Sequence, residues 1–347
     1  MSRSYEALTK GLDADFQQVI QTLQGIFVRV ATKTQGRATH TYGVAARGEA
    51  RIIVPMGFPQ NDFLKTGKTY PVILRHSSPG AQKDNRARDG AATSLKFYES
   101  NADPAAPGFH DIMMNTGRVL FVRSARAFLT MVITPNEDRV EKLLNPGILN
   151  DQILSEGYRS GGSFTDFYYH SQICYELTDN FGVMSYLRYR LINADRGPER
   201  GNYPRTWQPK GITVYPPLAN DPRSDTYLKQ DFLSRFEHEG MRYLLQGQLR
   251  PGDDSEAVNC SNVWDEARYH WVDLAEIRLT EALPPEALDV LAFDANWTAP
   301  SIAIPLATSG IWPGLQADNY ASLGHARTLV YAAARKARAD SPQPHAN

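Results

Sequence analysis

The feature that most constrains this chain is the spacing of its strand-like segments. They are short, broken by Gly and Pro, and framed by a helical stretch at each end. Leu8, Leu12, Phe16, Val19, Ile20, Leu23, Ile26 and Phe27 form an apolar stripe of helical period over residues 5–30. Residues 321–338, rich in Ala, Leu, Arg and Lys with no Pro or Gly after Gly324, predict a second helix. Between them, alternation and β-branched content predict strands over 37–54, 70–78 and 92–98, with Gly43 and Gly48 as bulges or points of close approach. Two more strands flank the turn Asp179-Asn-Phe-Gly182, and further strands fall at 241–249 and 271–279. Residues 119–131 read as a strand turning into a helix. Residues 140–165 read as mostly helical and then Gly-rich, 195–222 as a long loop, and 224–240 as an amphipathic helix. The 22 prolines and 17 tyrosines favour sheet and long loops over a helical bundle. The fold class is therefore α+β with a large antiparallel sheet, open or closed on itself.

Bulk properties exclude several functions. With 347 residues, 42% hydrophobic content and a formal net charge of -1, neither nucleic acid nor an anionic membrane surface is an expected partner. No run of 18 apolar residues marks a membrane span, and the first residues lack the apolar core of a signal peptide, so a cytoplasmic location is expected. Cys174 and Cys260 have no ligand spacing and read as buried free thiols in a reducing compartment. Phosphate-binding loops, dinucleotide fingerprints, zincin helices and nucleophile elbows are missing. Among eight scattered histidines, His76, His110, His170, His238 and His270 have no partner at ligand spacing and read as structural or exposed; His345 sits in a Pro-rich tail.

Two places carry chemistry. On the terminal helix, Arg327 and Tyr331 are one turn apart on a shared face, and Arg338 returns to that side two turns on. A guanidinium beside a phenol favours its ionised form, and a tyrosinate binds ferric iron, as in haem proteins with an axial tyrosine. The alternative is an amphipathic helix with a buried Tyr and solvated arginines. The second place is His40, read as lying on a strand between Thr39 and Thr41.

A set of motifs in one order links these places. Arg37-Ala-Thr-His40 … Gly43-Val-Ala-Ala-Arg-Gly48, the segment Phe63 to Ser77, Arg88-Asp89-Gly90 … Lys96-Phe97-Tyr98, Asp111-Ile-Met-Met-Asn115-Thr-Gly, Phe121-Val-Arg123 … Phe128, Asn262-Val-Trp264 and Arg327-x-x-x-Tyr331 together resemble the haem catalases over residues 35–340. That resemblance implies a catalase-like antiparallel β-barrel core with surrounding helices, and haem b bound between barrel and C-terminal helix. It implies Tyr331 as the iron ligand, held ionised by Arg327. His40 would be the distal acid/base, oriented by Ser77, with Asn115 donating a hydrogen bond to the distal oxygen. Phe128 would lie over a pyrrole, and Arg37, Arg75 and Arg338 would pair with the propionates.

Departures from ordinary catalases point to a branch. The chain is shorter, Thr39 stands where catalases carry valine, Ala332 follows the ligand Tyr in place of proline, and Thr-Gly follows Asn115. Thr39-His40 and Met-Met-Asn115-Thr-Gly are similar to the catalase-related allene oxide synthases and their bacterial relatives, which act on fatty-acid hydroperoxides. Thr39 is then an expected contributor to selectivity, its hydroxyl bonding the imidazole or a distal water. Ile112, Met113, Met114, Leu120 and Phe128 are candidates either for an acyl channel or for plain core. The expected organisation is a helical segment at 1–34, one haem domain at 35–340 and a disordered tail at 341–347, with a homodimer as the assembly. The expected activity is O–O cleavage in lipid-derived organic hydroperoxides. The alternatives are a small catalase or catalase-type peroxidase acting on hydrogen peroxide, a haem carrier or sensor without turnover, and a haem-free lipid-binding barrel.

Overall fold

The structure, a computed structural model, describes residues 3–78, 83–87, 89–202 and 215–341. Arg88, residues 203–214 of the expected long loop and residues 342–347 of the expected tail lie outside the described residues. The strands in chain order are β1 Gly43–Ile52, β2 Thr69–Ser77, β3 Asp89–Gly90, β4 Ala92–Phe97, β5 His110–Asn115 and β6 Tyr158–Arg159. They continue with β7 Tyr169–His170, β8 Tyr175–Thr178, β9 Met184–Asn193, β10 Met241–Pro251, β11 Val272–Ala282 and β12 Ile302–Ala303. The helices are α1 Tyr5–Thr9, α2 Ala14–Thr34, α3 Ala125–Ile133, α4 Asp151–Glu156, α5 Tyr227–Phe236, α6 Pro285–Val290 and α7 Ser322–Ala339.

Eight strands close a barrel in the order β10-β11-β1-β2-β4-β5-β7-β9, with β9 pairing back to β10. Closure removes the edges that an open sheet would have to protect. Every ladder in it is antiparallel. This is the α+β barrel that the motif order implied. Gly48 sits at a shift of register between β1 and β11, where a Cβ would meet the Arg278 carbonyl oxygen at 1.9 Å. Its lack of a side chain is a requirement there. β2 is buried on both faces from Val72 to Ser77 except where it begins, because residues outside the barrel cover its outer side.

One buried ion pair ties the barrel to the rest. Lys96 on β4 donates to both carboxylate oxygens of Asp111 on β5 at 2.9 and 2.8 Å, and neither side chain is exposed. Asp111 also accepts from the Asp294 amide, Asp294 accepts from Arg335 on α7 at 2.6 Å, and Trp297 lies between the two cations, 4.1 Å from the Lys96 nitrogen and 4.4 Å from the Arg335 guanidinium. Burial raises Asp111 to about 6 and lowers Lys96, while each partner's charge opposes the shift.

Three expectations change. The stripe over 5–30 is two helices, because Gly11 takes φ 75° and Asp13 starts a new helix by accepting from the Phe16 amide at 2.7 Å. Residues 119–123 form no strand: the Val119 carbonyl accepts from the Gln172 side chain and the Leu120 amide donates to Cys260, so no ladder can start. The helical content of 140–165 shrinks to a single wide turn at Val140–Leu144 and the short α4. Both cysteines are buried and free. Among the described residues no helix is long and apolar enough to cross a membrane.

Replacing Lys96 with Met leaves Asp111 buried without its cation. We expect this single change to cost ~3–5 kcal/mol of unfolding free energy, measured by urea denaturation; a loss below 1 kcal/mol would contradict the network described.

Candidate active site

A cavity of about 450 Å³ lies where the barrel meets α2, α3 and α7. Its walls are mostly apolar: Leu23, Ile26, Phe27 and Val30 from α2, Leu120 and Phe121 before α3, Phe128, Met131 and Val132 on α3, and Leu323 and Val330 on α7. Its polar lining includes Thr39, His40, Asn115, Gln172, Arg327 and Tyr331. A second cavity of about 100 Å³ shares Phe27, Ala38, Thr39, His40 and Tyr331 with it, and adds Arg37, Arg75, Arg335 and Arg338. The two thus lie on either side of these shared residues, the larger one mostly apolar and the smaller one lined by four arginines.

His40 is not on a strand. It precedes β1 with φ 56°, a left-handed conformation. Arg75 on β2 explains the departure, since its guanidinium takes the His40 carbonyl at 2.7 Å and the Thr41 carbonyl at 3.3 Å. Gly43 lets the two strands come close here: a Cβ there would meet the His76 carbonyl oxygen at 2.3 Å and the Arg75 guanidinium at 2.8 Å. Ser77, at the end of β2, lies with its hydroxyl 3.3 Å from His40 Nδ1. Burial, with Arg75, Arg327 and Arg37 nearby, pushes His40 down to about 3, so the imidazole is neutral and one ring nitrogen is free to accept a proton. Its accessible surface faces the cavities.

On α7, the Arg327 guanidinium lies 5.1 Å from the Tyr331 ring centroid, and its buried Nε has no hydrogen-bond partner in the protein. Phe27 brackets the phenol from α2, 6.2 Å from Tyr331 and 6.3 Å from Phe128. Arg37 donates to the Leu288 and Leu291 carbonyls, and Arg338 donates to the Leu291 carbonyl. Burial, with neighbouring arginines, lowers Arg37, Arg75 and Arg338, Arg75 to about 9. Among the described residues no Asp or Glu forms an ion pair with Arg37 or Arg75. Arg75, buried, and Arg37, half-buried, without a carboxylate ion pair suit a ligand that carries carboxylates of its own.

All ten residues singled out in the sequence thus come to this region. Of the channel candidates, Leu120 and Phe128 line the large cavity and Met113 the small one, whereas Ile112 and Met114 are barrel core. Two contributors went unread. The α2 wall showed only as an amphipathic stripe, which says that a face is covered but not by what. Gln172 gave no signal at all; only its fold position places it against Asn115, at 3.0 Å.

The fold and this set of groups define a catalase-like protein. No family model matches the chain. It is 45% identical over 240 residues to the uncharacterized protein y4iK of Sinorhizobium fredii, a match covering 67% of this chain and all of that protein. It is 29% identical over 343 residues to a linolenate 9R-lipoxygenase of Nostoc sp. and 29% over 303 residues to the allene oxide synthase-lipoxygenase protein of Plexaura homomalla. These matches cover 98% and 85% of this chain, which spans only 43% and 27% of those proteins. Catalase A from Saccharomyces cerevisiae superposes with a TM-score of 0.65 at 16% identity, over 87% of this chain and 61% of the catalase. A fungal catalase superposes with a TM-score of 0.59 at 17% identity, over 85% of this chain and 62% of that one. The chain belongs to one family with the Sinorhizobium protein, and it is a catalase-related protein similar to the allene oxide synthase group.

The buried histidines make a pH prediction. His76, His110 and His325 are held down to about 3, 3 and 4, each chiefly by burial, against ~6.5 in an unfolded chain. Below ~6.5 the unfolded chain takes up protons that the folded protein refuses, so stability present at neutral pH is lost as pH falls toward 3. At pH 5.5 we expect a loss of about 1 kcal/mol per buried histidine relative to pH 7.5, read from urea midpoints.

Proposed function

We propose that this chain is a haem-dependent enzyme that converts organic hydroperoxides, fatty-acid hydroperoxides foremost, by cleaving the O–O bond. The observation that carries the reading is the cavity of about 450 Å³ that joins His40, Thr39, Asn115 and Tyr331 to a long apolar wall. Its groups fit a haem: Tyr331, beside the Arg327 guanidinium, would ligate the iron, and the arginine cluster would take the propionates. When bound, the haem supplies the redox-active iron for breaking the peroxide bond.

The chain's own residues then divide the remaining work. Tyr331 would hold the iron, with the Arg327 guanidinium beside its ring. Arg37, Arg75 and Arg338 would fix the propionates. His40, neutral and with Nδ1 beside the Ser77 hydroxyl, would take the hydroperoxide proton on Nε2 and return it to the departing oxygen. Asn115 would donate a hydrogen bond to that oxygen. The α2 and α3 side chains would place the acyl chain and keep bulk water from the reacting oxygens. Thr39, beside the imidazole, would bond it or a distal water and so disfavour hydrogen peroxide. The names of the Nostoc and Plexaura relatives, a linolenate lipoxygenase and an allene oxide synthase-lipoxygenase, support a lipid-derived substrate. The second reading, a small catalase or catalase-type peroxidase, draws on the catalase superpositions, which speak for the fold alone.

Haem-loaded protein mixed with a polyunsaturated fatty-acid hydroperoxide should lose the conjugated-diene absorbance and yield one dominant product by mass spectrometry. Oxygen release from hydrogen peroxide with no turnover of the lipid would favour the second reading. His40→Ala should keep its haem and lose ~10²–10⁴-fold in turnover. Tyr331→Phe should lose the spectrum of a tyrosinate-ligated ferric haem; an unchanged spectrum would remove Tyr331 from the iron. Thr39→Val should gain hydrogen peroxide breakdown, and no gain would end the selectivity argument.

A further inference from the structure

Gln172 lies between β7 and β8, buried, at φ 59°. Non-glycine residues avoid this region, and one held there marks surroundings that over-determine it. Four non-glycine residues take positive φ among the described residues, and only His40 and Gln172 of these line the large cavity.

The Gln172 side chain is locked by what faces each end of its amide. Its Nε2 lies 3.2, 3.1 and 3.3 Å from the carbonyl oxygens of Thr116, Gly117 and Val119. A flipped amide would set Oε1 against three oxygens with no proton between them, so chemistry fixes the nitrogen on that side. Oε1 is thereby turned toward Asn115, whose Nδ2 donates to it at 3.0 Å. The oxygen can only accept, so Asn115 must present its nitrogen there, and its amide orientation is set in turn. One N–H of Asn115 is held by Gln172, and the second remains for the cavity that both residues line.

We infer that Gln172 is a positioning residue for the reaction: it selects the edge that Asn115 presents to the reacting oxygens, acting through Asn115 and not on substrate. The inference rests on Asn115 being the amide donor proposed above. The competing role is purely structural, a staple for the 116–119 segment.

The test reads contact and consequence separately. In folded, haem-free protein labelled with nitrogen-15 at Asn side chains, the Asn115 amide should show one slowly exchanging proton, and Gln172→Met should abolish that protection. A fast-exchanging Asn115 amide in the unsubstituted protein overturns the inference whatever the haem does. In haem-loaded protein, Gln172→Met should lower kcat at least ~10-fold with KM little changed, and should have no further effect in an Asn115→Ala background. Equal losses in both backgrounds would make Gln172 a staple only. Should Gln172→Met fail to fold, the Asn115 side-chain amide of the unsubstituted protein still decides: one slowly and one rapidly exchanging proton support the inference, and two rapidly exchanging protons overturn it. Absence of any turnover in the unsubstituted enzyme, with the Asn115 proton still protected, would remove the proposed reaction and leave the contact standing.

Discussion

The contact on which the site depends is that of the Arg75 guanidinium with the carbonyl oxygens of His40 and Thr41. A strand would offer those oxygens to a neighbouring strand. Here a side chain from β2 takes them, and the backbone can leave the ladder and put His40 in the left-handed region. The same guanidinium belongs to the cationic end of the cavity. One buried arginine thus shapes the imidazole's backbone, helps to depress its proton affinity and lines the cationic cavity. Gly43 is required beside it, since a Cβ would run into the His76 carbonyl oxygen and the guanidinium.

The opposite wall is held by a chain of charges. Lys96, Asp111, Asp294 and Arg335 run from the β4–β5 ladder to α7, with Trp297 between the cations. Lys96, Asp111 and Asp294 are buried and Arg335 is half-buried; buried charges are costly unless each is answered, and here each is. Arg335 is one turn from Tyr331, so the network fixes the helix that carries the phenol against the barrel that carries Asn115. Lys96 and Asp111 thereby have an architectural task.

Much of this was legible in the sequence because it is local. Helical period named α2 and α7, turn chemistry named the Asp179–Gly182 hairpin, and β-rich segments named six barrel strands to within a few residues. Arg327 and Tyr331 meet because helices bring residues four apart together. Gly43 and Gly48 could be read as points of close approach, since only a missing side chain makes sense of them there. The order of motifs joined His40 to Tyr331 across almost three hundred residues, which periodicity never could.

What the sequence by itself determined is most of the element inventory, the barrel class and the identity of the chemical groups, since short-range rules and a motif order are written in consecutive residues. The tertiary structure alone decided how those groups are held: His40 outside the ladder, α2 as a cavity wall, the segment after Asn115 kept from forming a strand, and Gln172 locked behind Asn115. Each of these depends on a donor or a wall reached from distant sequence, 35 residues away for Arg75 and 57 for Gln172. Hydrogen bonding at such separations follows from barrel closure, and closure is a property of the whole fold.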